Sequence, residues 1–266
     1  VTRADGRLFK VEGAGNDFVL GLGRWADRLA AEADTVVGLC RRRIGIGADG
    51  ALAVFVDGPD RLRLVYRNAD GSTEPFCGNG TRCAAVAAVQ LLGLPPDLVV
   101  ATDWHDIPAR VDGGQVRLAL PPIDVGTDRV QFSTVHGTLT GRRVVVGVPH
   151  VLIDVEDPAE VGLERLGPTL RWDPVLGPEG SNISVLGPER GGVADLRTWE
   201  RGVEGETLCC GSAVVAAGAI RLNGDRGQAA RLRARSGAIL EVRRRDAGLE
   251  LSGPARVVAE ILPQTS

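Results

Sequence analysis

Two cysteines open glycine-rich stretches of the same kind, Cys77-Gly78-Asn79-Gly80 and Cys210-Gly211-Ser212-Ala213. Small apolar residues follow each: Ala84-Ala85-Val86-Ala87-Ala88 in one case and Ala213-Val214-Val215-Ala216-Ala217 in the other. Both runs read as helices that are apolar on every side, which places them inside the protein. The first N–H groups of a helix have no intrahelical acceptor and carry about half a positive charge, so each Cys-Gly entrance is a ready anion site. A thiol held there is expected to ionise more easily than a free cysteine, whose pKa is about 8.5. The glycine after each cysteine lets the backbone come close to a ligand.

Two such entrances converging on one carboxylate would set a sulfur on each face of the neighbouring carbon. One thiolate then removes the proton from that carbon while the opposite thiol delivers another, and the centre is inverted with no metal or pyridoxal phosphate. Charge that spreads onto the carboxylate is met by N–H groups already in place, and the loss of water strengthens that interaction. The two cysteines lie half a chain apart, the spacing of a duplicated domain. A polar residue stands nine positions before each, Asn68 in one half and Arg201 in the other.

The rest of the sequence shows what must position these groups. With 266 residues, 44% of them hydrophobic, the chain can bury two cores of about 130 residues each. Short strand-like runs recur at Phe18–Leu20, Leu52–Val56, Arg61–Tyr66, Val116–Leu120, Val144–Val148, Val151–Val155, Asn182–Leu186, Ile239–Val242 and Val257–Ile261. Helical stretches are fewer: Trp25–Ala33, Thr35–Arg42, Gly80–Leu92 and Gly211–Leu222. The first central helix should stop at Gly93, with Pro95 and Pro96 beyond it, and the second at Asn223-Gly224 in the same style. The pattern is that of an α+β protein.

Composition removes several function classes. A net charge of −3 and the lack of a basic stripe argue against nucleic acid as a partner, and Arg41-Arg42-Arg43 reads as a solvated helix end. No run of some 18 apolar residues suggests a membrane span, and the polar start, Val1 to Lys10, is unlike a signal peptide, so a cytoplasmic location is expected. Cys40, Cys77, Cys83, Cys209 and Cys210 lack zinc-site spacings and stand beside none of the histidines, His105, His136 and His150. No metal or other cofactor is expected. Cys40, Cys83 and Cys209 read as packing residues, and the partner as a small molecule.

Six segments resemble the diaminopimelate epimerase family, in that family's order: Gly13-Ala14-Gly15-Asn16-Asp17-Phe18, Gly45-Ile46-Gly47-Ala48-Asp49-Gly50, Asn68-Ala69-Asp70-Gly71, Cys77-Gly78-Asn79-Gly80-Thr81-Arg82, Gly147-Val148-Pro149-His150, and Glu200-Arg201-Gly202-Val203-Glu204 leading to Cys210-Gly211-Ser212. The resemblance implies two similar domains related by pseudo-two-fold symmetry, each a mostly antiparallel sheet wrapped around a central apolar helix. It places the active site between them and makes the protein a homodimer. The domains would be residues 1–124, joined by a returning strand at 256–266, and 125–255. By the same resemblance Cys77 and Cys210 are the acid-base pair, and the N–H groups of Gly78, Asn79, Gly211 and Ser212 hold the reacting carboxylate. Asn16 and Glu200 would serve the reacting end with His150 nearby, while Asn68, Asn182 and Arg201 would read the distal ammonium and carboxylate of an amino-acid substrate.

Three positions depart from the family pattern. Val148 stands where many members have Asn, Ala14 where a larger apolar residue is common, and Cys209 adds a thiol beside Cys210. The expected reaction is interconversion of LL- and meso-diaminopimelate in lysine and cell-wall biosynthesis. Racemisation of another amino acid by the same thiols, and a redox sensor built on a Cys77–Cys210 disulfide, are the alternatives.

Overall fold

The computed structural model describes residues 6–134, 137–223 and 228–263. Val1 to Asp5 of the polar start, His136, Gly224 of the expected helix stop and positions 264–266 of the expected returning strand lie outside the described residues. The fold is α+β, and the chain divides into two compact units: Val1–Ala119 with Gly253–Ser266, and Leu120–Ser252.

The first unit opens with the hairpin β1 (Arg7–Gly13) and β2 (Asn16–Leu22), followed by α1 (Arg24–Ala31) and α2 (Ala33–Cys40). Strands β3 (Gly50–Val56) and β4 (Arg61–Asn68) lead to the central helix α3 (Gly78–Leu92), and β5 (Asp97–Ala101), β6 (Asp106–Asp112) and β7 (Gln115–Leu120) follow it. The second unit has β8 (Arg129–Thr134), β9 (Gly137–Val146), β10 (Val148–Asp154), α4 (Leu163–Arg171), β11 (Asn182–Arg190), β12 (Val193–Glu200), the short β13 (Gly205–Glu206), the central helix α5 (Gly211–Leu222), and β14 (Ala229–Arg233), β15 (Ile239–Arg245) and β16 (Gly248–Pro254). The last strand, β17 (Arg256–Ile261), pairs antiparallel with β1.

Strand order is the same in both units. The first runs β17-β1-β2-β3-β4-β5-β6-β7, in which β2–β3 and β4–β5 are parallel and every other pair antiparallel. The second runs β8-β9-β10-β11-β12-β14-β15-β16, with β10–β11 and β12–β14 parallel and the rest antiparallel. In each the central helix follows the fifth strand of that order. Helix α3 packs against β1, β4, β5, β6 and β17, and α5 against β9, β10, β11, β14 and β15.

Both central helices are buried because they carry so little polar surface. Every residue of α3 from Gly78 to Ala88 is buried, as is every residue of α5 from Gly211 to Ile220. Alanine and valine keep them thin, so strands can close around them on all sides. Helix α3 stops at Gly93, which takes the left-handed conformation with φ 73°. The end of α5 differs from the expectation, because its C-cap Asn223 is extended, with φ −67° and ψ 129°.

One expected strand is in fact two. Val144–Val148 is broken at Gly147, whose φ of 69° reverses the chain so that Val146 faces Val148. The equivalent hairpin of the first unit needs two residues, Ala14 and Gly15, both at positive φ. Among the described residues no helix is long and apolar enough to cross a membrane.

Candidate active site

In the first unit Cys77 is the N-cap of α3, and its Sγ accepts the Gly80 N–H at 3.3 Å. The Thr81 N–H goes to the Cys77 carbonyl at 2.8 Å. Gly78 and Asn79 also lie in this first turn, and their amides are the ones expected to hold a carboxylate. The Asn79 side chain turns inward, donating from Nδ2 to Asn16 Oδ1 at 3.1 Å and accepting on Oδ1 from Arg82 Nη2 at 2.7 Å. Asn16 in turn donates to Asp49 Oδ2 at 2.6 Å. Cys77, Gly78, Asn79 and Asn16 are therefore brought together at the start of α3.

Asn68 sits at the end of β4 and is buried. Its Oδ1 accepts from Tyr66 Oη at 2.6 Å and its Nδ2 donates to Ser72 Oγ at 3.0 Å. Its described side-chain bonds thus hold a turn, and none reaches another candidate residue.

In the second unit Cys210 is the N-cap of α5 and is only 5% exposed, with its Sγ 3.5 Å from Ser212 Oγ. Burial and the negative charge of Glu200 push this thiol up from its ordinary range, against the pull of the Ser212 hydroxyl and the Ala213 amide. This corrects the expectation from the helix end alone: loss of water around a fully enclosed sulfur outweighs about half a charge at a helix terminus. Cys210 is accordingly a neutral thiol near pH 7. Gly211 and Ser212 occupy the first turn, both buried.

His150 and Asn182 face each other across the parallel pair β10–β11. Asn182 Oδ1 accepts the Arg201 backbone N–H at 2.7 Å, which pins the start of the link from β12 to α5. The Arg201 guanidinium reaches the exposed Glu179 at 3.4 Å. His150 is fully buried, neither ring nitrogen has a hydrogen-bond partner, and burial with the nearby Arg201 charge lowers its pKa to about 3. It is a neutral imidazole at any working pH. Glu200 closes β12 and accepts a hydrogen bond from the Thr207 hydroxyl.

The position matching Asn68 is also corrected by the structure. Counting back from the cysteines selects Arg201, yet Asn68 ends β4 and Glu200 ends β12. The link after Glu200 is one residue longer, and it includes Glu204 at φ 50°, held by Arg171 at 3.1 Å. Further on, Glu206 lies almost fully buried between Arg197 at 2.6 Å and Arg235 at 3.2 Å. Sequence reasoning gave no role to these groups, nor to Asp49 and Arg82. An arginine inside an otherwise apolar helix was the available signal for the last.

The family model described as Diaminopimelate epimerase matches residues 8–117. Diaminopimelate epimerase of Gemmatimonas aurantiaca is 38% identical over 214 residues, 78% of this chain and 76% of that protein. Diaminopimelate epimerase of Thermobifida fusca is 36% identical over 282 aligned residues, 96% of each chain. Among solved structures, a probable proline racemase from Agrobacterium radiobacter with bound carbonate has a TM-score of 0.78 at 16% identity, covering 98% of this chain and 93% of that one. A hydroxyproline epimerase from Agrobacterium vitis with bound trans-4-hydroxy-L-proline has a TM-score of 0.71 at 14% identity, covering 96% and 90%. Those two structures share the fold with this protein. The curated relatives go further, and at this identity and coverage they show that the chain belongs to the diaminopimelate epimerase family.

Proposed function

We propose that this epimerase interconverts LL- and meso-diaminopimelate by proton transfer at the α-carbon between Cys77 and Cys210, without pyridoxal phosphate or metal, and that it works as a homodimer. One observation carries the two-thiol reading: the same residue type caps the same buried helix at the same point of a repeated strand order. Cys210, enclosed and neutral, suits the acid that delivers a proton. Cys77, half-buried and already receiving the Gly80 N–H, suits the base that removes one. One turnover exchanges their protonation states, so the reverse direction uses the same pair.

The α-carboxylate is assigned to the first-turn amides of α3 and α5, which stabilise it most when carbanion charge spreads onto its oxygens. The α-ammonium is assigned to Glu200, where its positive charge would also offset the carboxylate that holds Cys210 up. The Arg201 fork is suited to the distal carboxylate. His150, neutral and enclosed, takes part as a hydrogen-bonding group and not as a cation.

Incubation of reduced protein with LL-diaminopimelate in D2O tests this directly. The expected result is deuterium at the α-carbon together with the meso isomer, both lost in Cys77→Ala and Cys210→Ala. Exchange that survives both changes would overturn the two-thiol mechanism. Val148 favours one rival substrate class, since it puts an alkyl group where a side-chain amide is common in the family; turnover of single-carboxylate amino acids in preference to diaminopimelate would decide for it.

A further inference from the structure

Asn16 and Asn79 belong to a longer chain of hydrogen bonds in the first unit. It begins at Arg82, whose guanidinium is fully buried and donates to Asn79 Oδ1 at 2.7 Å and to the Gly78 carbonyl at 3.3 Å. Asn79 Nδ2 donates to Asn16 Oδ1 at 3.1 Å, and Asn16 Nδ2 donates to Asp49 Oδ2 at 2.6 Å. The other Asp49 oxygen accepts from Arg42 at 2.8 Å.

We propose that Arg82 and Asp49 are positioning residues, the charged ends of a one-way hydrogen-bond chain that locks the Asn79 and Asn16 amides in a single orientation and so fixes what this half of the site offers to substrate. A guanidinium can only donate and a carboxylate only accept. Turning either amide over would set N–H against N–H at the Arg82 end or oxygen against oxygen at the Asp49 end. The second hydrogen and second lone pair of each amide therefore point in directions settled by the two charges. The role in substrate binding rests on the function proposed above; the locking of the amides does not.

The second unit shows that the fold does not require this chain. Counted from the N-cap cysteine, Ser212 and Val215 stand where Asn79 and Arg82 stand in α3, and in the hairpin Val148 stands where Asn16 does. The same strand order and the same buried helix form there from a hydroxyl and two valines. A buried arginine costs desolvation that those residues avoid, so its presence beside Asn79 points to a task other than packing.

Asp49→Asn is the primary test, because it keeps the shape and turns one acceptor oxygen into a donor. In ligand-free protein labelled with 15N, the side-chain amide signals of Asn79 should move together with those of Asn16, which links it to residue 49. On diaminopimelate, kcat/KM should fall about ten- to a hundredfold with the melting temperature nearly unchanged. Arg82→Met should cost less in the Asp49→Asn background than alone, because the chain is already broken. Fixed Asn79 signals, or losses that simply multiply in the double variant, would overturn the proposal. If Arg82→Met does not fold, the Asp49→Asn spectra and kinetics still decide. If the wild type does not act on diaminopimelate, the proposed function fails, and the amide spectra judge the locking by themselves.

Discussion

Val148 holds in the second unit the place that Asn16 holds in the first. Each lies two residues before the strand position that pairs in parallel with the next strand, Phe18 opposite Gly50 and His150 opposite Asn182. Asn16 is buried with its amide bonded at both ends, whereas Val148 is buried as an alkyl group.

Val148→Asn follows from that relationship. The new amide would lie at a site 6% exposed that holds a valine in the native chain, so ligand-free protein should lose about 1–3 kcal/mol of stability. If the position faces diaminopimelate, KM should fall several-fold while single-carboxylate amino acids gain nothing. Denaturant titration and steady-state kinetics on the same preparation check both halves. A rise in KM for diaminopimelate would mean that the valine, not an amide, is what this substrate needs.

The two central thiols should differ in reactivity. Cys77 is half-buried, while Cys210 is enclosed and pushed up by burial and Glu200. Iodoacetamide at pH 7.5 should therefore modify Cys77 at least about tenfold faster, since the thiolate is the reacting form. Cys40, pushed up to about 12 by burial, should stay unmodified in the folded protein. Peptide mapping over time gives the order, and a faster Cys210 would refute the acid and base assignment made here.

How much of this could be read from the sequence depends on how locally each feature is encoded. The two helix entrances are local, since cysteine, glycine and an alanine-rich run suffice to find Cys77 and Cys210 and to predict that both helices are buried. Several strands were hidden by residues that usually argue against strand. In β6, Ile107, Ala109 and Val111 face inward in strict alternation, but Pro108 interrupts the run; it lies just before the β6–β7 ladder begins at Ala109, where a missing N–H is tolerated. Helix α4 was hidden in the same way by Gly167 and Pro168. Asp49 escaped because its partners Asn16 and Arg42 come from other elements, which no periodicity reports; Arg82 escaped although Asn79 and Gly78 lie in its own helix turn, because its burial is not visible in the sequence. The state of Cys210 escaped too, since the helix terminus is visible in the sequence and the burial that overrides it is not.

Gly218 gives a test of packing around α5. On propensity alone Gly218→Ala should stabilise a helix interior by up to about 1 kcal/mol. The structure reverses that sign, because an added Cβ would lie 2.4 Å from Val242 Cβ on β15. Both atoms belong to close-packed backbone-proximal positions that cannot swing away, so the variant should lose about 1–3 kcal/mol. The companion Gly218→Ala/Val242→Ala should recover part of that loss. Thermal unfolding of the three proteins checks it, and a stabilised single variant would show that α5 is less tightly enclosed than described.

His150 predicts a particular dependence of stability on pH. Its pKa is about 3 in the folded protein, against an ordinary value of 6.5, because both ring nitrogens are buried without partners and Arg201 adds positive charge nearby. Between those two values the unfolded chain binds a proton at this residue and the folded one does not. Acid therefore favours unfolding: the contribution of neutral His150 is intact above about pH 6.5 and is lost as pH falls, at about 1.4 kcal/mol per unit. Carboxylates held by Arg and Lys push in the same direction, so the reading has to be a difference. Wild type and His150→Leu, compared by urea titration from pH 7.5 to pH 4, should diverge steadily, with the leucine variant gaining on the wild type at each step. A constant difference over that range would mean that the folded protein accepts the proton, and that the imidazole is not sealed from partners or water.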